Sequence, residues 1–172
     1  GKKYGLATVA GLMTGCVIHT TLVAFGVSEV IKQNPSLFFV IKLFGAGYLL
    51  YLAYQVYKSD PDITFSTDNV QQKTTYQLFK TGFWMNVLNP KVTIFFLAFF
   101  PQFLFSDTIS TVIQFYILGG LFILTSFMIF SSIALLAGSI SEYIKQNNKV
   151  GVYLKWMQIV VFVLIAGLIL MP

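Results

Sequence analysis

GLATVAGLMTGCVIHTTLVAFGVSEVI, residues 5–31, holds one acidic residue, one histidine and no lysine or arginine in 27 positions. As a helix it would extend about 40 Å at roughly 1.5 Å per residue. The hydrocarbon core of a bilayer is about 30 Å thick and needs about 20 apolar residues to cross it. It is too long for the apolar region of a cleaved signal peptide. This stretch therefore reads as a membrane-spanning helix, closed by Asn34 and Pro35.

Four further stretches read the same way. The second span covers about 36–57, with Ser36 as N-cap and Asp60 and Pro61 as the stop. The third covers about 89–105 and is short, so it either reaches back through Phe83 and Trp84 or sits tilted. The fourth covers about 109–139, with Gly119 and Gly120 as an expected weak point, and the fifth about 152–171. No β-barrel alternation occurs, and backbone polar groups in lipid leave helices as the remaining solution. The expected fold is an all-α integral membrane protein, one transmembrane domain over residues 1–172.

Composition agrees. The chain is 56% hydrophobic, 17% aromatic and only 10% charged, with a mean hydropathy of +0.78. A soluble domain carries about a quarter of its residues as charged groups. Eighteen Phe and nine Tyr exceed what one water-exposed domain of this size can hide. The net charge of +5 comes from eleven lysines without an arginine. With no guanidinium to fork onto phosphate or base, nucleic acid is not the expected partner; the bilayer is.

The residues between spans two and three, 58–88, form the one extended polar segment, expected as a cytoplasmic linker. Its first half reads as an exposed loop. Its second half spaces Tyr76, Phe79, Phe83 and Val87 as a short helix lying in the headgroup plane. Alternating spans then put Lys2, Lys3, Lys58, Lys73, Lys80, Lys91, Lys145, Lys149 and Lys155 on one side, against Lys32 and a snorkelling Lys42 on the other. That bias makes the lysine-rich side cytoplasmic, with residue 1 inside and the C-terminus outside. Position 1 is Gly and an apolar run begins almost at once, so an N-terminal piece is expected to be missing.

Few residues can carry chemistry. Cys16 is the single cysteine and His19 the single histidine, which leaves no metal-ligand cluster and no disulfide, and no cofactor is expected. Gly11 and Gly15, spaced by four after Ala7, suit close helix packing, as do Gly45 and Gly47 in the second span. His19 lies near the middle of its span, where a polar group needs either a partner on another helix or a task such as ligand or proton binding. Tyr48, Tyr51, Tyr54 and Tyr57 recur every third residue; the later ones suit the interfacial aromatic belt, while Tyr51 is deep enough to offer a hydroxyl to a cavity. Asn89 before Pro90 and Lys91 forms a good cap and first turn. Beginning at the surface, which periodicity alone favours, that turn is only a cap. Beginning inside the membrane, its free N–H groups and dipole would hold a carboxylate, as in discontinuous transporter helices. Gln102, after Pro101, is either a functional amide at a kink or an ordinary helix end. Most hydroxyls in the spans can bond their own preceding turn.

Three blocks resemble the LysE/RhtB-type amino-acid exporters: GLATVAGLMTGCVIHTTLVAFGV, KLFGAGYLLYLAYQVYK, and GFWMNVLNPKVTIFFLAFFPQF, the last with Asn86, Leu88, Asn89, Pro90, Lys91, Pro101, Gln102 and Phe103. The resemblance covers essentially the whole chain. It implies six spans in two inverted three-helix repeats, five of them in this sequence and the first preceding Gly1. It further implies a secondary transporter in the bacterial inner membrane, exporting a small amino acid or derivative of the homoserine, threonine or lysine class on the proton gradient or membrane potential. Some members carry Asp where this chain has Cys16, so a role of that Asp does not transfer. On this reading Asn89, Pro90 and Lys91 frame the substrate site, His19 with Gly15 and Cys16 faces it, and Gln102 and Tyr51 contribute further out. Two rivals stand beside it: an integral-membrane enzyme using Cys16 and His19, which lie three apart on one helix, and a non-transporting membrane subunit. Association with further copies of the chain stays open.

Overall fold

A computed structural model describes residues 1–61, 73–147 and 149–171. Among them there are six helical segments and no strand. We label these α1 (Lys2–Gln33), α2 (Pro35–Lys58), α3 (Thr75–Val87), α4 (Pro90–Phe103), α5 (Thr111–Gln146) and α6 (Lys149–Leu170). Four of them, α1, α2, α5 and α6, are individually long and apolar enough to cross a membrane, and α3 with α4 would make a fifth span bent by 50°. The loop expected over the first half of the polar linker falls mostly on residues 62–72, outside the described residues, as do Asp62 and Asp68.

Local chemistry sets the boundaries. Pro35 occupies the first turn of α2, where its missing N–H costs nothing. The cap is therefore Asn34, whose side chain accepts from the Leu37 N–H at 3.0 Å, rather than Ser36 as the sequence suggested. Thr74 opens α3 with a capping box: its hydroxyl accepts from the Gln77 N–H, and the Gln77 side chain accepts from the Thr74 N–H. This reciprocal bonding satisfies two groups that a helix start otherwise leaves open. Glycines 119 and 120, read as a weak point, do not interrupt α5. Gly119 instead leaves room for Thr20 of α1, whose Cγ2 would lie 2.4 Å from an added Cβ.

The bundle is built from close pairs. α1 and α5 run antiparallel, since Gly5 lies against Ala134 and Gly119 against Thr20. α2 packs on α6, also antiparallel: Lys155 Nζ donates to the Ser59 carbonyl at 2.7 Å near one end, and Lys42 Nζ to the Met171 carbonyl at 2.9 Å near the other. Gly45 brings α2 onto Ala98 of α4. Gly47, expected to pack likewise, is exposed with open space where its Cβ would be. Two residues on is some 200° round a helix at about 3.6 residues per turn, so both glycines cannot share one face.

The closest pair is α1 with α3, and it changes the reading of the linker's second half. Gly11 lies under Phe79, Gly15 under Asn86, and Gly82 under Thr8. Residue numbers rise together along both helices, so α3 runs parallel to α1 and lengthwise against it. The amphipathic spacing that suggested a surface helix has another cause: one face of α3 is buried on α1 while Lys80, Trp84 and Met85 point away. Lys80 and Lys91 accordingly sit on helical segments rather than in a loop.

Two short π-helical turns, Val23–Val27 in α1 and Phe95–Phe99 in α4, touch each other. Around them lies the main core, with Phe96 and Phe115 fully buried and Val23, Val27 and Phe100 nearly so. Phe95 and Phe122 complete an aromatic cluster with ring centroids 4.6–6.4 Å apart. Such offset contacts add to the stabilisation from burial alone.

Candidate functional site

Pro90 organises the site. In a continuous helix the Asn86 carbonyl would accept from the N–H four residues on, and Pro90 has none. The chain turns there: Asn89 N–H bonds the Asn86 carbonyl at 3.0 Å, and α4 leaves at 50° to α3. The second lone pair of that carbonyl is taken by His19 of α1, at 3.2 Å. A carbonyl only accepts, so His19 Nε2 is the donor of this bond. The His19 ring also stacks on Phe96, at 5.5 Å between centroids and 25° between planes. One histidine thus holds both sides of the break against α1.

Cys16, one turn before His19, is 1% exposed and receives a bond from Asn86 Nδ2 at 3.4 Å. Asn86 itself is 6% exposed, and its Oδ1 has no hydrogen-bond partner. Gly15 permits the approach, because a Cβ there would lie 2.6 Å from that Oδ1 and 2.8 Å from the Asn86 Cβ. The structure therefore gathers Gly15, Cys16, His19 and Asn86. Cys16 and His19, considered as a reactive pair, each bond to Asn86 rather than to one another.

Of the other expected residues, Asn89 and Pro90 adjoin this cluster at the Asn86 carbonyl, whereas Lys91, Tyr51 and Gln102 lie apart from it. Asn89 Oδ1 accepts from the Lys91 N–H at 3.0 Å, so the first donor of α4 is already occupied. Pro90 offers no N–H, and the Thr93 N–H bonds the Asn89 carbonyl at 3.1 Å. The start of α4 consequently has little capacity to hold a carboxylate by backbone N–H groups. The Lys91 ammonium lies over the Phe162 ring of α6, 5.5 Å from its centroid. Tyr51 is exposed on α2 and bonded to Gln55, while Gln102 is half-buried in the 3-10 turn that ends α4. Among the described residues no group of three His, Cys, Asp or Glu could hold a metal ion.

Two residues that the sequence did not single out carry much of the polar structure. Asn86 was visible only as part of a motif; its burial follows from the pairing of α3 with α1. Gln114, 2% exposed on α5, accepts from the N–H groups of Phe105 and Ser106 and donates to the carbonyls of Ser106 and Ile109, all within 2.7–3.0 Å. That one amide satisfies the turn joining α4 to α5. Nothing in the local pattern marks it.

A family model described as LysE type translocator matches residues 1–171. The homoserine/homoserine lactone efflux protein of Salmonella typhimurium is 32% identical over 145 residues, covering 84% of this chain and 69% of that protein. The protein of the same name from Salmonella typhi matches with the same identity and coverage. An uncharacterized membrane protein of Vibrio cholerae is 28% identical over 148 residues, 86% of this chain and 71% of its own length. No solved structure matches the chain.

Proposed function

Because the chain belongs to the LysE type translocator family, we propose that it is a secondary transporter exporting a small amino acid or amino-acid derivative from the cytoplasm. Its site is the junction of α1, α3 and α4 around His19 and Asn86. The observation that carries this is the depth of the break. Gly11 meets Phe79 and Gly15 meets Asn86, so the end of α3 comes level with the middle of a 32-residue helix. With α1 crossing the bilayer, Asn86, Asn89 and Pro90 lie near its midplane. Helix breaks are tolerated there only where protein or a cavity shelters them, and broken helices at that depth mark transporter sites.

The names of the Salmonella relatives support a refinement. Homoserine has a free carboxylate and its lactone has none, so a site for both cannot depend on a carboxylate clamp. What they share is an ammonium next to a carbonyl carbon. A start of α4 with few free donors fits that pair better than the carboxylate cradle read from the sequence. Lys2, Lys3, Lys58, Lys73, Lys149 and Lys155 lie near one end of the bundle, which faces the cytoplasm by the positive-inside rule. Export then runs toward the end that holds Gln33 and Gln114, driven by the proton gradient or the membrane potential.

Efflux from vesicles preloaded with each amino acid and with homoserine, made with the full-length protein, tests the reading. His19→Ala and Asn89→Ala are expected to slow efflux at least tenfold while the protein stays folded. Absence of flux for every compound overturns the assignment as an exporter, and unchanged efflux in both variants overturns the site.

A further inference from the structure

Asn86 is buried, yet neither end of its carboxamide is well used. Oδ1 has no partner and lies against the bare Cα of Gly15. Nδ2 reaches only the Cys16 sulfur, at 3.4 Å, and sulfur is a weak acceptor. Buried amides in native proteins are normally paired, so one that is not calls for a reason. Among the described residues two other buried side-chain oxygens lack partners, Ser28 Oγ and Ser131 Oγ. Both are hydroxyls on helices, which can rotate onto the carbonyl of the preceding turn. An amide oxygen cannot donate and has no such recourse. Turning the amide over only moves the shortage, leaving Nδ2 stranded against Gly15.

The backbone of the same residue is in the opposite condition. Its carbonyl is doubly held, by the Asn89 N–H and by His19 Nε2. The residue is fixed in place while its side chain is left under-bonded, packed on the helix whose glycine lets it approach. A purely structural spacer here would be better served by an apolar side chain of similar size, which leaves no polar atom unpaired.

We propose that the Asn86 carboxamide is the group that reads the substrate, by pairing with an α-amino-acyl unit. The ammonium donates to Oδ1, and the adjacent carbonyl oxygen accepts from Nδ2, which gives up the Cys16 sulfur. This rests on the exporter reading and deepens it: the chemical class recognised is any small compound with a free amine next to a carbonyl, whether acid, ester or lactone. In the structure Phe96 packs over His19 and Gly15 covers Oδ1. Entry requires α3 to part from α1 at Gly15 as α4 moves off His19, and α4 is the segment that begins at a bend and contains a π turn and a 3-10 turn.

Counterflow of labelled homoserine into vesicles holding the full-length protein tests this, with three unlabelled competitors. Homoserine lactone keeps the amine and the carbonyl, N-acetylhomoserine lacks the free amine, and 3-aminopropanol lacks the carbonyl. Lactone is expected to compete within about threefold of homoserine, and the other two at least about 10-fold more weakly, as loss of one charge-assisted hydrogen bond implies. Asn86→Leu is expected to abolish this discrimination. Cys16→Ala removes the sulfur that Nδ2 gives up on binding and is expected to lower the KM for homoserine and for its lactone alike, a change that a merely structural bond would not give. Should Asn86→Leu fail to fold, Asn86→Asp keeps an acceptor and loses the donor, and is expected to narrow the gap between 3-aminopropanol and homoserine. Equal competition by N-acetylhomoserine, or full selectivity retained in both Asn86 variants, overturns the proposal. No counterflow by the unaltered protein counts against the exporter reading and this one together; counterflow indifferent to amine and carbonyl counts against this one alone.

Discussion

Replacing Gly11 by Ala adds one carbon where the structure has no room for it. The new Cβ would lie 2.0 Å from the Phe79 carbonyl oxygen and 2.9 Å from the Phe83 nitrogen. Both are backbone atoms of α3, so no side chain can swing aside. Ordinary contact needs about 3.5 Å, and α1 and α3 must therefore part by roughly 1.5 Å near this point. Overpacking of this kind costs about 1–3 kcal/mol. The separation also stretches the His19–Asn86 bond, now 3.2 Å, beyond hydrogen-bonding range, adding about 0.5–1.5 kcal/mol. The sum, about 1.5–4.5 kcal/mol, lowers the midpoint of thermal unfolding in detergent by about 3 °C or more for a chain of this size. Gly82→Ala, which places its Cβ 2.3 Å from the Thr8 carbonyl oxygen, should behave alike. Gly47→Ala and Gly26→Ala meet nothing within 4 Å and should leave the midpoint unchanged. Should Gly11→Ala melt with the unaltered protein, the lengthwise packing of α3 on α1 is wrong.

Three further outcomes follow from single contacts. Phe96→Ala removes a fully buried ring stacked on His19; it should cost about 3–5 kcal/mol and quicken maleimide labelling of Cys16 severalfold, whereas labelling no faster than before would show that Phe96 does not shield the cluster. Pro90→Ala restores an N–H that can reach the Asn86 carbonyl in competition with His19; stability should hold or rise while efflux falls, and unimpaired efflux would mean the break is dispensable. Gln114→Met strands four polar groups in the turn between α4 and α5; limited proteolysis should then cut at residues 104–110, and an uncut turn would show that another group holds it.

The long elements were legible because they depend on one property that a sequence displays openly. α1, α2 and α6 are apolar runs ended by Asn34 with Pro35 or by polar clusters, and their bounds lie within a few residues of those read from composition. The third span was legible in two pieces, a short helix over the linker's second half and a span from about 89 whose length pointed back through Phe83 and Trp84; the packing of the first piece along α1 was not. Thr75–Val87 contains Gln77, Lys80, Thr81 and Asn86, and in a single helix these lower hydropathy enough to mimic an interfacial segment. Only its partner shows that Gly82 and Asn86 are buried and that the lysine lies on the opposite face. For the same reason the Asn89–Pro90 turn read more naturally as a surface cap: capping chemistry is identical at any depth. The π turns at Val23–Val27 and Phe95–Phe99, which touch each other, leave no local signal. Within the site, His19 and Cys16 stood out as single residues of their kind in an apolar run, and Gly15 by its spacing from Gly11. Their relation to Asn86 rests on contacts between residues 67 and 70 positions apart, which no spacing rule reaches.

The depth of the break is the most direct measure of the account. Leu88 is 72% exposed and will accept a spin label as Leu88→Cys in a Cys16→Ala background, with Ile18→Cys, 40% exposed on α1, as the reference. Collision with oxygen and with a water-soluble nickel chelate in vesicles gives the depth of each. The account predicts that both labels lie in the hydrocarbon core, within about 5 Å of the same depth, roughly one helical turn. A label at position 88 found among the headgroups, with the one at position 18 in the core, would contradict it.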